Sequence, residues 1–258
     1  MKLIFLGTGT SQGIPVIGCR CEVCLSDDAR DKRLRSSVLL KIGQDTPLVI
    51  DCGPDFRYQM LRSDTTALEA VLLTHEHYDH TAGLDDLRPF GFITGEPVRI
   101  FARESLLTTL RHRLPYAFSE HPYPGAPQFQ TYPLEWNQPF SIKNYKILPL
   151  EVLHGNLHIT GFKIGEHLAY ITDANGLPEA TARSLQDIPI LVINALHHRP
   201  HHAHFTLEQT IKQIEVLNPG RAYLIHMSHH MGLHAAVSRQ LPDTIELAYD
   251  GLEIEIPA

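Results

Sequence analysis

Three histidines and an aspartate stand close together in this chain, in the segment HEHYDH. The segment follows the apolar run 70–73, whose composition predicts a buried β-strand. A strand that ends here and turns sharply would point His75 and His77 at one metal ion, and Asp79 and His80 at a second ion. The motif therefore predicts a two-metal site at the edge of a sheet. The fold must then contain a sheet with a sharp turn at the end of this strand.

Two ions need more ligands than one loop supplies, and three later residues are candidates. His154 comes after a predicted strand at 145–150, Asp173 follows Ala-Tyr-Ile-Thr, and His226 follows Ala-Tyr-Leu-Ile. Loops at strand ends commonly hold functional groups on a rigid sheet. Each residue alone would fit a structural role, but together they extend the metal site.

Composition supports metal chemistry and argues against nucleic acid as a partner. The chain of 258 residues contains 17 histidines against 22 lysines and arginines, and imidazole is the commonest metal ligand in proteins. Its formal net charge of -7 disfavours a long basic face for a polynucleotide. The N-terminal apolar run is too short for a signal peptide or a spanning helix, so we expect a soluble, cytoplasmic protein without membrane contact.

The periodicity predicts sheets covered by helices, within a single domain over residues 1–258. The chain has no internal repeat and no linker that would mark a domain boundary. The segment 115–139 is rich in proline, which predicts a long irregular excursion. The predicted strands are 2–6, 37–42, 48–50, 70–73, 98–101, 145–150, 168–172, 188–193, 222–225 and 245–248. The predicted helices are 82–88, 104–113, 178–185 and 206–216.

The order HEHYDH, lone His, Thr-Asp and late His resembles the metallo-β-lactamase superfamily, whose early Asp matches Asp51. The resemblance implies an α/β fold, a four-layer αββα sandwich with the site on one edge. It also implies that Asp51 orients a ligand, although capping of the turn before Gly53 explains that aspartate equally well. The ligand sets that it implies are His75, His77 and His154 for one metal, and Asp79, His80 and His226 for the other, with Asp173 bridging them.

The N-terminal segment narrows the resemblance to one branch. Cys19, Cys21 and Cys24 are closely spaced and odd in number, which argues against a disulfide framework and favours thiolate ligation. A GTGT-x-QG-x-P loop before C-x-C-x-x-C resembles the phosphoribosyl cyclic phosphodiesterases of the carbon-phosphorus lyase pathway. This resemblance implies a structural zinc held by the loop around 18–25, with His229 as fourth ligand and His230 as the alternative.

A second histidine-rich segment precedes the last predicted helix. His204 lies in an H-x-T-x-x-Q pattern that resembles the same phosphodiesterase branch and the tRNA 3′-end endonucleases. The resemblance implies that His204 contacts the phosphate and protonates the leaving oxygen, and we assign catalysis to His204 and Asp79. The segment 197–202 departs from the pattern of this branch. Asn194 also departs from it, because it stands where the branch has an acidic residue. The substrate selected by this part of the chain therefore stays open.

Together these features predict a dinuclear metal-dependent phosphodiesterase. The expected substrate is a small phosphodiester of the cyclic ribose type. The expected cofactors are two divalent ions, Zn or Mn, and one structural Zn. The alternatives are a thioester hydrolase of the glyoxalase II type, a tRNA 3′-end nuclease and a non-catalytic metal-binding accessory protein like that of pyrroloquinoline quinone synthesis. The resemblance also implies a homodimer.

Overall fold

The computed structural model describes residues 1–41, 46–143 and 145–256, and its strands form two sheets. In chain order the strands are β1 (Lys2–Gly7), β2 (Ser37–Lys41), β3 (Leu48–Ile50), β4 (Ala70–Leu72), β5 (Val98–Arg103), β6 (Phe129–Leu134), β7 (Phe140–Ile142), β8 (Tyr145–His154), β9 (Leu157–Ile164), β10 (Leu168–Ile171), β11 (Ile190–Asn194), β12 (Arg221–Ile225), β13 (Ile245–Leu247) and β14 (Glu253–Glu255). One sheet has the order β14-β1-β2-β3-β4-β5-β6, and the other has the order β13-β12-β11-β10-β9-β8-β7.

Helices cover the outer faces of both sheets. They are α1 (Glu22–Leu25), α2 (Phe56–Arg62), α3 (Tyr78–Thr81), α4 (Arg88–Thr94), α5 (Glu104–Arg113), α6 (Glu179–Leu185), α7 (Leu207–Leu217) and α8 (His234–Ser238). Short 3₁₀ turns occupy Ala29–Asp31, Leu84–Leu87, Pro115–Phe118 and His229–Met231. None of the helices within the described residues is both long and apolar enough to cross a bilayer.

Alternation along the strands builds three apolar layers. In β1, Leu3 and Phe5 pack into the core shared by both sheets, whereas Ile4 and Leu6 pack with the helices outside the first sheet. This division follows from the period of two in a strand. A third layer lies between the second sheet and α6 to α8. The predicted four-layer αββα sandwich is confirmed.

Each predicted strand has a counterpart in the sheets, although Ile42 lies outside the described residues. The prediction of an irregular segment over 115–139 is wrong in part, because β6 lies within it. Pro133 is tolerated there since β6 is an edge strand, where a missing N–H costs no ladder bond. The predicted helix at 82–88 is instead a 3₁₀ turn followed by α4, because Pro89 fits only the first turn of a helix.

Parallel strands direct several loops to one edge of the sandwich. Strands β3 and β4 are parallel, as are β10, β11 and β12. Loops after the carboxyl ends of parallel strands meet on the same side of a sheet, which is where open α/β sheets place their sites. The segments that begin at Asp51, Leu73, Thr172 and His226 leave from these ends.

Candidate active site

Three histidines form the first group of possible metal ligands, the histidine triad. His75 follows β4, His77 precedes α3, and His154 is the last residue of β8. Their ligand atoms lie within 4.8 Å of one another. Nδ1 of His154 lies 2.9 Å from the carbonyl of Ala203, which leaves Nε2 of His154 for the site. The structure thus brings together the three residues that the sequence assigns to one metal.

Two aspartates and two histidines form the second group, the aspartate–histidine cluster. Asp79, His80, Asp173 and His226 also place their ligand atoms within 4.8 Å of one another. Nε2 of His80 lies 3.2 Å from Asp79 and 3.3 Å from Asp173, and Nε2 of His226 lies 3.1 Å from Asp173. Asp173 also groups with His154 of the triad, so its carboxylate stands between the two sets.

The backbone at two of these residues adopts the left-handed region. Asp173 has φ 58° and His226 has φ 56°. His226 directly follows the parallel strand β12, and Asp173 comes two residues after the end of β10. Such conformations are uncommon outside glycine and concentrate at functional sites. Both side chains lie near His80, which comes from the loop after β4 of the other sheet: Asp173 is 3.3 Å from Nε2 of His80, and the rings of His226 and His80 are 5.7 Å apart.

A cation fits the donor set of the aspartate–histidine cluster. Nε2 of His80 is fully buried and makes no hydrogen bond, although it lies between two carboxylates. Burial alone would lower the pKa of His80, but the carboxylates of Asp79, Asp173 and Asp51 raise it well above its usual value. A proton on this imidazole therefore supplies positive charge that a divalent ion would supply more strongly.

The carboxylate between the two sets is held ionised. Burial would raise the pKa of Asp173, but His226 and His80 outweigh that effect and hold it well below the usual range. Burial lowers the pKa of His75 well below its ordinary value, which keeps that imidazole neutral. Ionised carboxylates and neutral imidazoles are the forms that bind metals.

A separate cysteine–histidine cluster joins the N-terminal loop to the segment after β12. Nδ1 of His229 lies 3.2 Å from Sγ of Cys19, 3.4 Å from Sγ of Cys21 and 3.6 Å from Sγ of Cys24. Tetrahedral zinc with ordinary bond lengths would separate sulfur and nitrogen ligands by about 3.5 Å. Burial raises the pKa of Cys24 to about 11, so zinc would have to displace that proton. These residues fit a closed zinc site, and His230 is not part of the cluster within the described residues.

Comparison with known proteins identifies the family. The sequence model of the β-lactamase superfamily domain matches residues 46–227. A solved diphosphatase of the PhnP family is 37% identical, with a TM-score of 0.91, and the alignment covers 98% of this chain and 96% of the diphosphatase. The chain belongs to the PhnP family. The PhnP-family domain described here is therefore a metal-dependent hydrolase with the metallo-β-lactamase fold.

Two further relatives differ in how much they share with this PhnP-family chain. A Porphyromonas gingivalis protein named octanoyltransferase is 41% identical over 98% of this chain, which covers 51% of that protein. The chain thus spans about half the length of this curated relative. Zn(2+)-bound PqqB from Methylobacterium extorquens has a TM-score of 0.80 over 99% of this chain and 100% of PqqB. At 20% identity, PqqB shows the shared fold alone.

Asp51 lies behind the candidate metal ligands of this PhnP-family chain. Its carboxylate is fully buried and accepts hydrogen bonds from the backbone N–H of Thr74 at 2.9 Å and from the hydroxyl of Thr74. The same carboxylate lies 2.7 Å from Nδ1 of His80. These contacts hold His80 with Nε2 toward Asp79 and Asp173, which fits the orienting role that the resemblance implies for Asp51.

Replacement of Asp51 by asparagine is expected to weaken metal binding by about 10-fold to 100-fold. An amide cannot supply the negative charge that holds His80, and its NH₂ group would oppose one of the donors around it. Competition with a fluorescent chelator measures the affinity, and Asp64→Asn on the surface serves as control. Unchanged affinity in Asp51→Asn would contradict the orienting role.

His204 lies beside both ligand sets of the PhnP-family domain. Its ring centroid is 4.7 Å from that of His154 and 5.0 Å from that of His226, and its buried Nδ1 makes no hydrogen bond. Burial, with the neighbouring His226, lowers the pKa of His204 to about 2. His204 is therefore neutral before an anion enters, and an anionic substrate would raise its pKa.

The rest of the H-x-T-x-x-Q pattern has a structural explanation. Thr206 is the N-cap of α7 and accepts from the backbone of Gln209, while the side chain of Gln209 accepts from the backbone of Thr206. This capping box satisfies the N-terminal donors of the helix and fixes where the preceding loop ends. Only the histidine of the pattern remains for chemistry.

Some functional contacts escape prediction from sequence. Asn194 is fully buried and bonds both the N–H and the carbonyl of Ala174, so it holds the loop of Asp173 and is shielded from substrate. The hydroxyl of Thr10 lies 3.1 Å from Nε2 of His226. The role of Asn194 follows only from its closeness to the Asp173 loop in the assembled sheet. Thr10, in contrast, lies in the GTGT segment that the sequence analysis singles out.

Proposed function

We propose that this chain is a dinuclear metal-dependent phosphodiesterase that hydrolyses a small phosphodiester, with a cyclic ribose-type phosphate as the preferred class. The observation that carries the proposal is the convergence of seven histidine and aspartate side chains beside His204. The 37% identity to a PhnP-family diphosphatase supports phosphoryl chemistry. The structural zinc, the choice between Zn and Mn and the presence of two active-site ions are parts of this proposal.

The ligand sets assign a role to each side chain. The histidine triad would hold one ion, and Asp79, His80 and His226 would hold the other, with Asp173 shared between them. Divalent ions bound there would lower the pKa of water and neutralise charge on phosphoryl oxygens. Asp51 orients His80, and Ala203 fixes the imidazole of His154 through its carbonyl.

His204 would contact the phosphoryl group from the loop between β11 and α7, beside His154 and His226. Its Nδ1 lies 3.8 Å from the carboxylate of Asp173, close enough to share a bound substrate with that residue. A neutral imidazole donates one N–H to a phosphoryl oxygen. Once the anion raises the pKa of His204, the protonated ring can give its proton to the departing oxygen.

Replacement of His204 by alanine is expected to lower kcat/KM by about 100-fold for esters with poor leaving groups, and by less for p-nitrophenyl esters. Poor leaving groups need the proton most, because their oxyanions are the least stable. A series of aryl methyl phosphodiesters measures this trend, with His202→Ala as the neighbouring control. Equal losses along the series would overturn the role of His204 as proton donor. They would still be consistent with a contact between His204 and the phosphate.

Hydrolysis by metal-stripped protein refilled with Zn or Mn tests the activity. The panel is bis(p-nitrophenyl) phosphate, p-nitrophenyl phosphate, a glutathione thioester and diadenosine diphosphate. Turnover of the phosphodiester alone, and only with metal, supports the proposal. Metal binding without any turnover would favour the accessory-protein alternative instead.

Two arms of the panel test acid anhydride and acyl chemistry. The diphosphatase relative favours a diphosphate as the second candidate substrate. The octanoyltransferase relative favours an acyl substrate, although this chain covers 51% of that protein. Preference for diadenosine diphosphate or for the thioester would replace the phosphodiester assignment accordingly.

A further inference from the structure

The hydroxyl of Thr10 lies beside the aspartate–histidine cluster. Its Oγ1 is 3.1 Å from Nε2 of His226. The same nitrogen lies 3.1 Å from the carboxylate of Asp173, so it is the nitrogen of His226 that faces a cation in this cluster. Within the described residues, Nε2 of His226 is the hydrogen-bond partner of the Thr10 hydroxyl.

A metal at His226 would take this partner away from Thr10. An imidazole nitrogen that binds a metal keeps neither a lone pair nor a proton for a further hydrogen bond. A neutral hydroxyl is also a weaker ligand than the imidazoles and carboxylates that the cluster already offers. When the site is loaded, the hydroxyl of Thr10 is therefore a buried donor that needs another acceptor.

The backbone around Thr10 is held in place on both sides. The N–H of Thr10 donates to the carbonyl of Met227 at 3.1 Å, and the N–H of Met227 donates to the carbonyl of Thr8 at 3.0 Å. Thr8 also donates its N–H and its hydroxyl to the carboxylate of Asp250, at 2.9 Å and 2.8 Å. A donor fixed in this way needs little reorganisation to stabilise charge that develops during a reaction.

A substrate at the candidate metal ligands would come within reach of this donor. Thr10 is 8% exposed, yet it lines a cavity of about 230 Å³ together with Leu196 and Ser228, through which a small molecule can approach. The ring of His226 lies 5.0 Å from the ring of His204, so a phosphoryl group that contacts His204 is also close to the hydroxyl beside His226. A hydrogen bond in such a poorly hydrated place is stronger than one in water.

From these observations we infer that Thr10 is a catalytic residue, whose hydroxyl donates a hydrogen bond to a non-bridging oxygen of the scissile phosphoryl group. This inference rests on the proposed function and deepens it. The contacts of the two residues differ, because His204 serves the departing oxygen and Thr10 serves an oxygen that stays on phosphorus. Charge on that oxygen makes it a strong acceptor for the hydroxyl.

Replacement of Thr10 by valine in the metal-loaded protein keeps the shape of the side chain and removes the donor. We expect kcat/KM for bis(p-nitrophenyl) phosphate to fall by about 10-fold to 100-fold, since a hydrogen bond to a charged group is typically worth that factor. Thr10→Ser keeps a hydroxyl and is expected to retain most of the activity. Thr108→Val on the exposed face of α5 is the matched control. Activity of Thr10→Val equal to that of wild-type protein would overturn the inference.

Metal affinity separates this role from one in which Thr10 only orients His226 or binds the metal itself. Both of those roles predict that Thr10→Val binds metal more weakly, by about tenfold or more. A donor to the phosphoryl group predicts unchanged affinity, measured by competition with a fluorescent chelator. Loss of metal affinity in step with loss of activity would overturn the inference.

The two enantiomers of p-nitrophenyl methyl phosphorothioate test which oxygen receives the hydrogen bond. Each enantiomer has sulfur, a weak acceptor, in place of one non-bridging oxygen. Thr10→Val is expected to lower kcat/KM for one enantiomer as much as for the corresponding oxygen ester, and for the other enantiomer much less. A general disturbance of the site would affect both enantiomers equally, and that result would overturn the inference.

Calorimetry separates failure of this inference from failure of the proposed function. If wild-type protein hydrolyses none of these esters, the proposed function fails, and binding of inorganic phosphate to the metal-loaded protein tests the contact alone. Wild-type protein should bind phosphate at least about tenfold more tightly than Thr10→Val. Equal binding by the two proteins, or binding by neither, would overturn the contact with Thr10 regardless of turnover.

Discussion

Replacement of Asp79 by alanine is expected to lower kcat/KM for phosphodiester hydrolysis by at least about a thousandfold. Asp79 faces Nε2 of His80 at 3.2 Å in the aspartate–histidine cluster. Its removal takes away an anionic ligand and leaves His80 and His226 without a full coordination set. The loss should be accompanied by release of one of the two active-site metals, because the histidine triad stays intact.

Kinetics and metal analysis on the same preparations check this expectation. Elemental analysis should give one fewer metal per chain in Asp79→Ala than in wild-type protein. Asp86→Asn lies on the exposed side of the following 3₁₀ turn and is the matched control for a lost carboxylate. Near-normal kcat/KM in Asp79→Ala would show that the aspartate–histidine cluster does not hold a catalytic ion.

Replacement of His229 by alanine is expected to release the structural zinc and to reduce the free energy of unfolding by at least about 3 kcal/mol. Within the described residues, His229 is the member of the cysteine–histidine cluster that offers a nitrogen, and three thiolates alone would leave a zinc site open. The apolar cluster around the N-terminal loop is small, with Ile14, Val23 and Cys24 buried and Val16 and Leu233 packed against them, so we expect packing not to compensate for loss of the metal.

His230→Ala is the matched control, because His230 lies next to the ligand but outside the cluster. Denaturant unfolding and elemental analysis should separate the two variants, with zinc kept in His230→Ala. The reverse result would assign the fourth ligand to His230. Equal stability and zinc content in both variants would exclude a histidine ligand at either position.

Much of the fold was predictable because its core strands are short, apolar and bounded by turns. The strands that escaped prediction have identifiable reasons. Gly161 interrupts β9, where a side chain would collide with Ile171, and glycine weakens the strand signal. Strand β14 is a polar edge strand, so it lacks the apolar residues that reveal buried strands.

The candidate site was predictable where chemistry and spacing coincide in sequence. The HEHYDH segment and the three cysteines can be recognised from their residue types and spacing. The resemblance to a known family identifies His154, Asp173 and His226 as further candidates. The structure gathers the histidines and aspartates at one site and the cysteines with His229 at another, while their binding of metal stays a prediction. The carbonyl of Ala203 and the buried amide of Asn194 could not be predicted, since any residue offers a carbonyl and only the assembled sheet sets Asn194 against the Asp173 loop.

Activity during stepwise metal addition tests the two-metal phosphodiesterase most directly. Protein that retains its structural zinc but lacks the active-site ions would be titrated with Mn²⁺ while hydrolysis of bis(p-nitrophenyl) phosphate is followed. We expect no hydrolysis at the start and a plateau at two equivalents of bound metal per chain. Full hydrolysis without added metal, or a plateau at a single equivalent of bound metal, would contradict the two-metal phosphodiesterase.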